Sequence, residues 1–231
     1  MAALLKRFFP VIHCVCPFEK QGTGHALRNA RIAFENFADG IFLIGHTMDY
    51  KSLCMIYEHV RKWLPGGWVG VNFLDVAAKE DWQLLTKLAR RYPDLNALWI
   101  DNMPNARLDI DPHIELFGGV AFKYIDPDLR GEDLVADCHR AKHLVDVITT
   151  SGPATGSPPD IAKLEEIRNA IGNQSSLALA SGVTRENVAE FLPTVDTFLV
   201  ASSITGREKN LGNQEYLIPE KVMVLATEIH R

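Results

Sequence analysis

The chain has 231 residues, of which 47% are hydrophobic and 23% charged, and its net charge is −5. These proportions are typical of a soluble globular protein with a sizeable core. The acidic balance argues against nucleic acid or an anionic membrane surface as a partner. No apolar run approaches the ~20 residues of a membrane span, and four cysteines are too few for a disulfide framework. A reducing, cytoplasmic compartment is the resulting expectation.

Short apolar runs recur along the whole chain, and an amphipathic stretch follows most of them. The runs are Pro10–Cys16, Gly40–His46, Trp68–Phe73, Ala97–Asp101, Gly119–Tyr124, Val145–Thr150, Ser176–Ser181 and Thr197–Ser202. Their nearly continuous hydrophobicity is typical of parallel strands that are covered on both faces. The runs start every ~20–30 residues, close to one eighth of a ~250-residue barrel.

Helix patterns separate these runs. The clearer ones are Ala26–Phe37, Lys51–Leu64, Lys79–Tyr92, Leu134–His143, Pro159–Ile171, Arg185–Leu192 and Pro219–Ile229. The segment Pro104–Leu116 contains two prolines and should be irregular or only briefly helical. An open doubly wound sheet is the alternative, but no Gly-x-Gly-x-x-Gly follows the first strand. With no linker in sight, the sequence predicts an α/β protein, a single (β/α)8 TIM barrel over residues 1–231.

The loops after the last three predicted strands are rich in glycine and hydroxyl residues. In barrels, the loops after strands seven and eight commonly form a phosphate pocket, because small residues let the anion reach backbone amides. Each turn alone could be ordinary turn chemistry, but three in consecutive units favour an anion site. Arg207 and Lys209 could add positive charge. The predicted ligand-binding and phosphate-binding residues are Asn72, Thr150, Ser151, Gly152, Thr155, Gly156, Ser181, Gly182, Ser202 and Ser203.

The stretch Asp146–Ser203 carries Thr-Ser-Gly-Pro-Ala-Thr-Gly-Ser-Pro-Pro-Asp, Ala-Ser-Gly-Val-Thr-Arg-Glu-Asn-Val and Thr-Phe-Leu-Val-Ala-Ser-Ser. It resembles the BtpA/SgcQ family, barrel proteins of the ribulose-phosphate-binding type, one branch of which is linked to photosystem I biogenesis. Val71-Asn72-Phe73 and Phe122-Lys123-Tyr124 are similar to the third and fifth strands of that family. The resemblance implies a phosphate-type pocket at Gly182 and Ser202 and leaves the reaction open.

Two strand ends depart from the family pattern. The first ends His13-Cys14-Val15-Cys16-Pro17 where Pro-Leu-Pro-Gly is usual, and the second ends Gly45-His46-Thr47 where an acidic residue and Asn are usual. These departures indicate a substrate that differs from those of other members.

Lys123, Asp101 and His13 are the predicted catalytic residues, because all three lie at the ends of predicted strands and should meet at the barrel mouth. Partial burial of Lys123 would favour a neutral amine, which suits base chemistry or a Schiff base. Asp101 could act as a general base or orient a ribose hydroxyl, and could instead only cap a turn. A lone histidine such as His13 is also often structural.

No metal ion and no cofactor is predicted. His13, Cys14 and Cys16 are close in sequence, but zinc requires a third or fourth ligand that no spacing supplies. The function that fits is an enzyme acting on a small phosphorylated ligand, a sugar phosphate or nucleotide, by lyase, isomerase or glycosyl-transfer chemistry. The alternative is a non-catalytic assembly or regulatory factor. A homodimer is expected, because two-fold assemblies are the commonest oligomers.

Overall fold

The computed structural model describes residues 5–18, 22–207 and 214–231. Within these ranges, eight parallel strands close into a barrel in chain order, and β1 pairs with both β2 and β8. The predicted TIM barrel is therefore confirmed. The strands are β1 Arg7–His13, β2 Ile41–Ile44, β3 Val69–Asn72, β4 Ala97–Ile100, β5 Glu115–Gly119, β6 Val147–Thr150, β7 Ser176–Leu179 and β8 Thr197–Val200.

Helices surround the barrel. They are α1 Gly22–Glu35, α2 Tyr50–Trp63, α3 Leu74–Ala77, α4 Trp82–Arg91, α5 Gly131–Leu144, α6 Ile161–Ile171, α7 Val188–Phe191 and α8 Pro219–Ile229. Residues 101–114 form no helix, as the two prolines there predicted. After β8 comes a 3-10 turn, Ser202–Ile204, and then an antiparallel pair, β9 Thr205–Arg207 and β10 Glu215–Leu217. None of the helices in the described residues combines the length and hydropathy that crossing a membrane requires.

Both faces of the barrel strands are buried, which explains their unbroken hydrophobicity. In β1, Phe9 and Val11 belong to the cluster inside the barrel, whereas Phe8 and Ile12 belong to the layer under the helices. This alternation is the two-residue period of a strand. The hydrophobic effect at about 25 cal/mol per Å² of buried apolar surface thus acts on both layers.

Aromatic rings fill the amino-terminal half of the barrel. The rings of Phe9 and Trp68 stack with centroids 4.3 Å apart, and Phe42 meets Phe117 edge-on at 5.0 Å. Arg7 lies over the rings of Phe9 and Phe117 and bonds to Glu115, which covers this end. Because the amino-terminal half of the barrel interior is packed, its open space lies toward the carboxyl ends of the strands.

The fifth strand lies earlier than predicted. The sequence indicated Gly119–Tyr124, whereas β5 ends at Gly119 and a turn follows it. Ala121 and Tyr124 have φ values of 47° and 66°, which no extended strand contains. A Cβ on Gly119 would lie 1.9 Å from the carbonyl oxygen of Asp101, so glycine permits this close approach. The apolar run was taken for a strand because the turn is buried as well.

Other boundaries shift by a few residues. β1 begins at Arg7 and ends at His13, so Cys14 and Cys16 lie beyond the strand rather than in it. The predicted helix Lys79–Tyr92 becomes two, since residues 78–81 form a break before Asp81 caps α4. The burial that shapes strand patterns does not specify where the hydrogen-bond ladder stops.

Candidate functional site

A cavity of about 430 Å³ opens at the carboxyl ends of the barrel strands. Its floor is apolar, and its rim carries the polar residues that end or follow the strands. The floor includes Val11, Ile44, Leu74, Trp99, Ala180 and Leu199. The rim includes His13, His46, Asp101, Lys123, Tyr124, Thr155, Gly156, Ser181, Gly182, Ser202 and Ser203. All three predicted catalytic residues therefore line one space.

The turns after β7 and β8 form one wall of this cavity. Gly182 has a φ of 69°, and a Cβ there would lie 2.1 Å from the backbone nitrogen of Pro158. Only glycine lets this turn lie against the loop after β6. In the part of the chain that the structure describes, the amides of Gly182, Ser202 and Ser203 donate no hydrogen bond. Unpaired amides beside a cavity are suited to binding an anion.

Other predicted phosphate residues hold the loops together instead of facing the cavity with free groups. The amide of Gly152 donates to the Ser181 hydroxyl at 2.8 Å, and that hydroxyl donates to the Ser157 carbonyl at 2.9 Å. The Ser203 hydroxyl donates to the Val183 carbonyl at 2.6 Å. These bonds fix the shape of the wall and leave its amides as the available donors.

The remaining predicted binding residues divide between the layer beneath the cavity and its rim. Thr150 and Ser151 are fully buried, and the Ser151 hydroxyl accepts the amide hydrogen of Lys123 at 2.7 Å. Thr155 and Gly156 are exposed on the rim, where the Thr155 hydroxyl lies 3.1 Å from that of Tyr124. The structure therefore does not bring all the predicted phosphate residues to one point.

Asp101, Asn72 and Lys123 form a polar group across the cavity from the glycine wall. The Asn72 amide, fully buried, donates to the Asp101 carboxylate at 3.1 Å. Burial raises the pKa of Asp101, while the Asn72 hydrogen bond and the charge of Lys123 oppose that rise. A carboxyl with a raised pKa next to a cation is suited to proton transfer. Asn72 thus holds the Asp101 carboxylate from beneath rather than lining the cavity itself.

The two imidazoles lie together at the ends of β1 and β2. The rings of His13 and His46 meet edge-on with centroids 4.9 Å apart. Burial lowers the pKa of both, and the charge of Lys123 lowers both further. Glu215 raises the pKa of His13, because its carboxylate lies 3.4 Å from Nδ1. Neutral imidazoles at neutral pH can accept a proton.

Two residues that contact the cavity's rim or its supporting loops were not predicted from the sequence. Glu215 reaches His13 from β10, about 200 residues along the chain, and Lys163 is a fully buried lysine of α6. The one signal for Lys163 is its position in α6, where it takes a place on the buried face that an apolar residue would normally occupy. Arg207 pairs with Glu215 at 3.3 Å. The sequence prediction for Lys209 lies outside the described residues.

All four cysteines are free thiols, and Cys14, Cys54 and Cys138 are buried, whereas Cys16 is half-buried. Cys14 is buried and burial raises its pKa to about 12, so it is a poor nucleophile or metal ligand at neutral pH. Across the described ranges, no three His, Cys, Asp or Glu side chains are grouped so as to hold a metal ion.

A closed barrel of eight parallel strands with this cavity at its mouth defines the class, a (β/α)8 TIM barrel. The profile of the BtpA family matches residues 105–230, and the chain belongs to the BtpA family. No curated protein matches the sequence.

Several solved structures share the fold. A monomer generated from the dimeric phosphoribosylanthranilate isomerase of Thermotoga maritima is 14% identical with a TM-score of 0.66, and the match covers 97% of this chain and 98% of the other. The phosphoribosylanthranilate isomerase from Thermus thermophilus is 15% identical with a TM-score of 0.61, and the match covers 96% of each chain. Thiamine phosphate pyrophosphorylase from Pyrococcus furiosus is 14% identical with a TM-score of 0.59, and the match covers 97% of this chain and 96% of the other. Such identities establish a common fold and nothing further about activity.

Proposed function

We propose that this protein is an enzyme that acts on a small phosphorylated ligand in the cavity at the barrel mouth. The phosphate binds to the amides of Gly182, Ser202 and Ser203, and the reacting carbon lies near Asp101 and Lys123. The observation that carries the proposal is that unpaired amides and a charged acid–base group line the same cavity. The names of several structural neighbours, which act on phosphorylated compounds, support the ligand class.

The charged groups have complementary roles in this proposal. Asp101, with its raised pKa, exchanges a proton with the substrate, and the Lys123 ammonium stabilises negative charge that develops in the transition state. His13 accepts or returns a proton from the opposite rim. An isomerase, a lyase and a glycosyl-transfer enzyme all require such proton transfers. The identity of the substrate therefore decides between these three reaction types.

The anion site is tested first with inorganic phosphate in isothermal titration calorimetry. Ser202 is exposed, so Ser202→Asp adds a negative charge at the wall without disturbing the core. We expect the affinity for phosphate to fall at least about tenfold, equivalent to about 1.4 kcal/mol. The matched control is Gln174→Glu, which adds the same charge at an exposed position before β7, at the opposite end of the barrel. This control should leave the affinity unchanged.

A thermal-shift panel of sugar phosphates and nucleoside monophosphates then identifies the ligand. A compound at 100 times its dissociation constant should stabilise the protein by about 2.7 kcal/mol. Equal phosphate affinity in Ser202→Asp and Gln174→Glu, or no binding in the wild type, would overturn the proposed site. No shift with any phosphorylated compound, together with a co-purifying protein partner, would favour the assembly-factor alternative.

A further inference from the structure

The hairpin β9–β10 is an addition to the eightfold repeat, and it brings one carboxylate next to His13, a residue of the cavity rim. Its strands pair antiparallel, with Glu215 opposite Arg207. Glu215 follows all eight barrel strands in the chain, yet its side chain contacts the last residue of β1.

Two buried polar residues of α1 anchor the hairpin through its backbone. The Asn29 side-chain oxygen Oδ1 accepts the amide hydrogen of Leu217 at 2.7 Å, and His25 Nε2 lies 2.7 Å from the Glu215 backbone carbonyl oxygen. Both side chains are only 2% exposed. Because a carbonyl can only accept, His25 Nε2 carries the hydrogen. The position of Glu215 is therefore fixed by contacts that do not involve its carboxylate.

The carboxylate itself is divided between two partners. Glu215 Oε2 lies 3.4 Å from His13 Nδ1, and Oε1 lies 3.3 Å from an Arg207 nitrogen. We propose that Glu215 is the positioning residue of His13, accepting its Nδ1–H and leaving Nε2 unprotonated at the cavity. This inference rests on the proposed function, because it supplies the base of that catalytic site.

The chemistry follows from the tautomer. A free neutral imidazole can carry its hydrogen on either nitrogen, and an acceptor at Nδ1 selects the form whose Nε2 holds a lone pair. That lone pair takes a proton from a substrate C–H or O–H, and the bonding electrons stay on the substrate. The Glu215 carboxylate stabilises the imidazolium, which later returns the proton. The charged or titratable groups that face His13 are Glu215, His46 and Lys123.

The tautomer can be measured without knowing the substrate. In histidine-labelled protein, ¹⁵N NMR reports which nitrogen of His13 is protonated, and His13→Gln assigns the signal. We expect the Nδ1–H form in the wild type. Glu215→Ala removes both charge and acceptor, so it should lose the preference and lower the pKa of His13. Glu215→Gln keeps an acceptor oxygen without the charge, so it should retain the tautomer and still lower that pKa.

Glu220→Gln is the matched control, since Glu220 is exposed on α8. It should change neither the tautomer nor the pKa of His13. An Nε2–H tautomer in the wild type, or a His13 signal that Glu215→Ala leaves unchanged, overturns the inference. Phosphate titrated into the same samples separates the two proposals. If phosphate binds but His13 is in the Nε2–H form, only the proposed role of Glu215 is overturned. If His13 is in the Nδ1–H form but phosphate does not bind, only the proposed anion site is overturned.

Discussion

Lys123 is the residue through which the titrating groups of the cavity are coupled. Its charge lowers the pKa of Asp101, which it helps to ionise, and of His13 and His46, whose protonation it opposes. We therefore predict that Lys123→Met raises all three pKa values at once. The raised Asp101 pKa would be followed by ¹³C NMR of the carboxyl carbon, and the histidines by their ring signals.

Lys87→Met is the control for this experiment, because Lys87 is exposed on α4 and causes none of these shifts. If only Asp101 responds to Lys123→Met, the amine lies on one side of the cavity and cannot serve both rims. If none responds, Lys123 has no place in the proposed mechanism.

The residues that the sequence could predict are those that end a barrel strand. Asp101 and His13 were found because strand ends converge in any barrel, a relation that needs only the repeat. Lys123 was placed at the rim although its strand was misassigned, since the turn after β5 also points there. Glu215 could not be found, because its contact with His13 depends on a hairpin whose path no local pattern specifies.

Lys163 joins α6 to the loops that follow β5 and β6. Its ammonium donates to the carbonyls of Ala121 at 2.5 Å, Pro127 at 3.0 Å and Ser151 at 2.8 Å. Burial lowers its pKa to about 8, so it stays charged at neutral pH with all three donors in use. The loop that carries Lys123 is thereby bound to the loop that carries Ser151.

We predict that Lys163→Met lowers the free energy of unfolding by about 3 kcal/mol, because three buried carbonyls lose their donor. Urea denaturation at pH 7 measures this loss. Lys142→Met, at an exposed position of α5, should change it by less than about 0.5 kcal/mol. Similar small effects in both variants would mean that water replaces the ammonium and that the loops do not depend on it.

The misplaced β5 shows where sequence patterns stop being informative for an element. Hydrophobicity reports burial, and both the strand and the turn after it are buried. What separates them is the positive φ of Ala121, a residue type that rarely adopts it. The carbonyl of that same residue accepts from Lys163, so a tertiary contact supports a turn that local preference disfavours.

Closure of the barrel pairs its first strand, β1, with its last, β8. The sequence predicted this closure because the eightfold alternation of strand and helix has few other solutions. It could not predict β9–β10, which breaks the repeat between β8 and α8. The part outside the repeat also carries Glu215, so the least predictable element supplies the carboxylate that lies next to His13.

Closure also carries a thermodynamic consequence. Since β1 pairs with both β2 and β8, no strand of the barrel is an edge, and we propose that residues 1–231 unfold as one domain. Phe198 is fully buried on β8, opposite Phe8, so Phe198→Ala should cost about 3–5 kcal/mol. Circular dichroism of the helices and tryptophan fluorescence should report the same lowered midpoint in urea. Trp68 stacks on Phe9 of β1, whereas Trp63 lies on α2 and Trp99 on β4, so an unshifted fluorescence transition would reveal a part that unfolds independently.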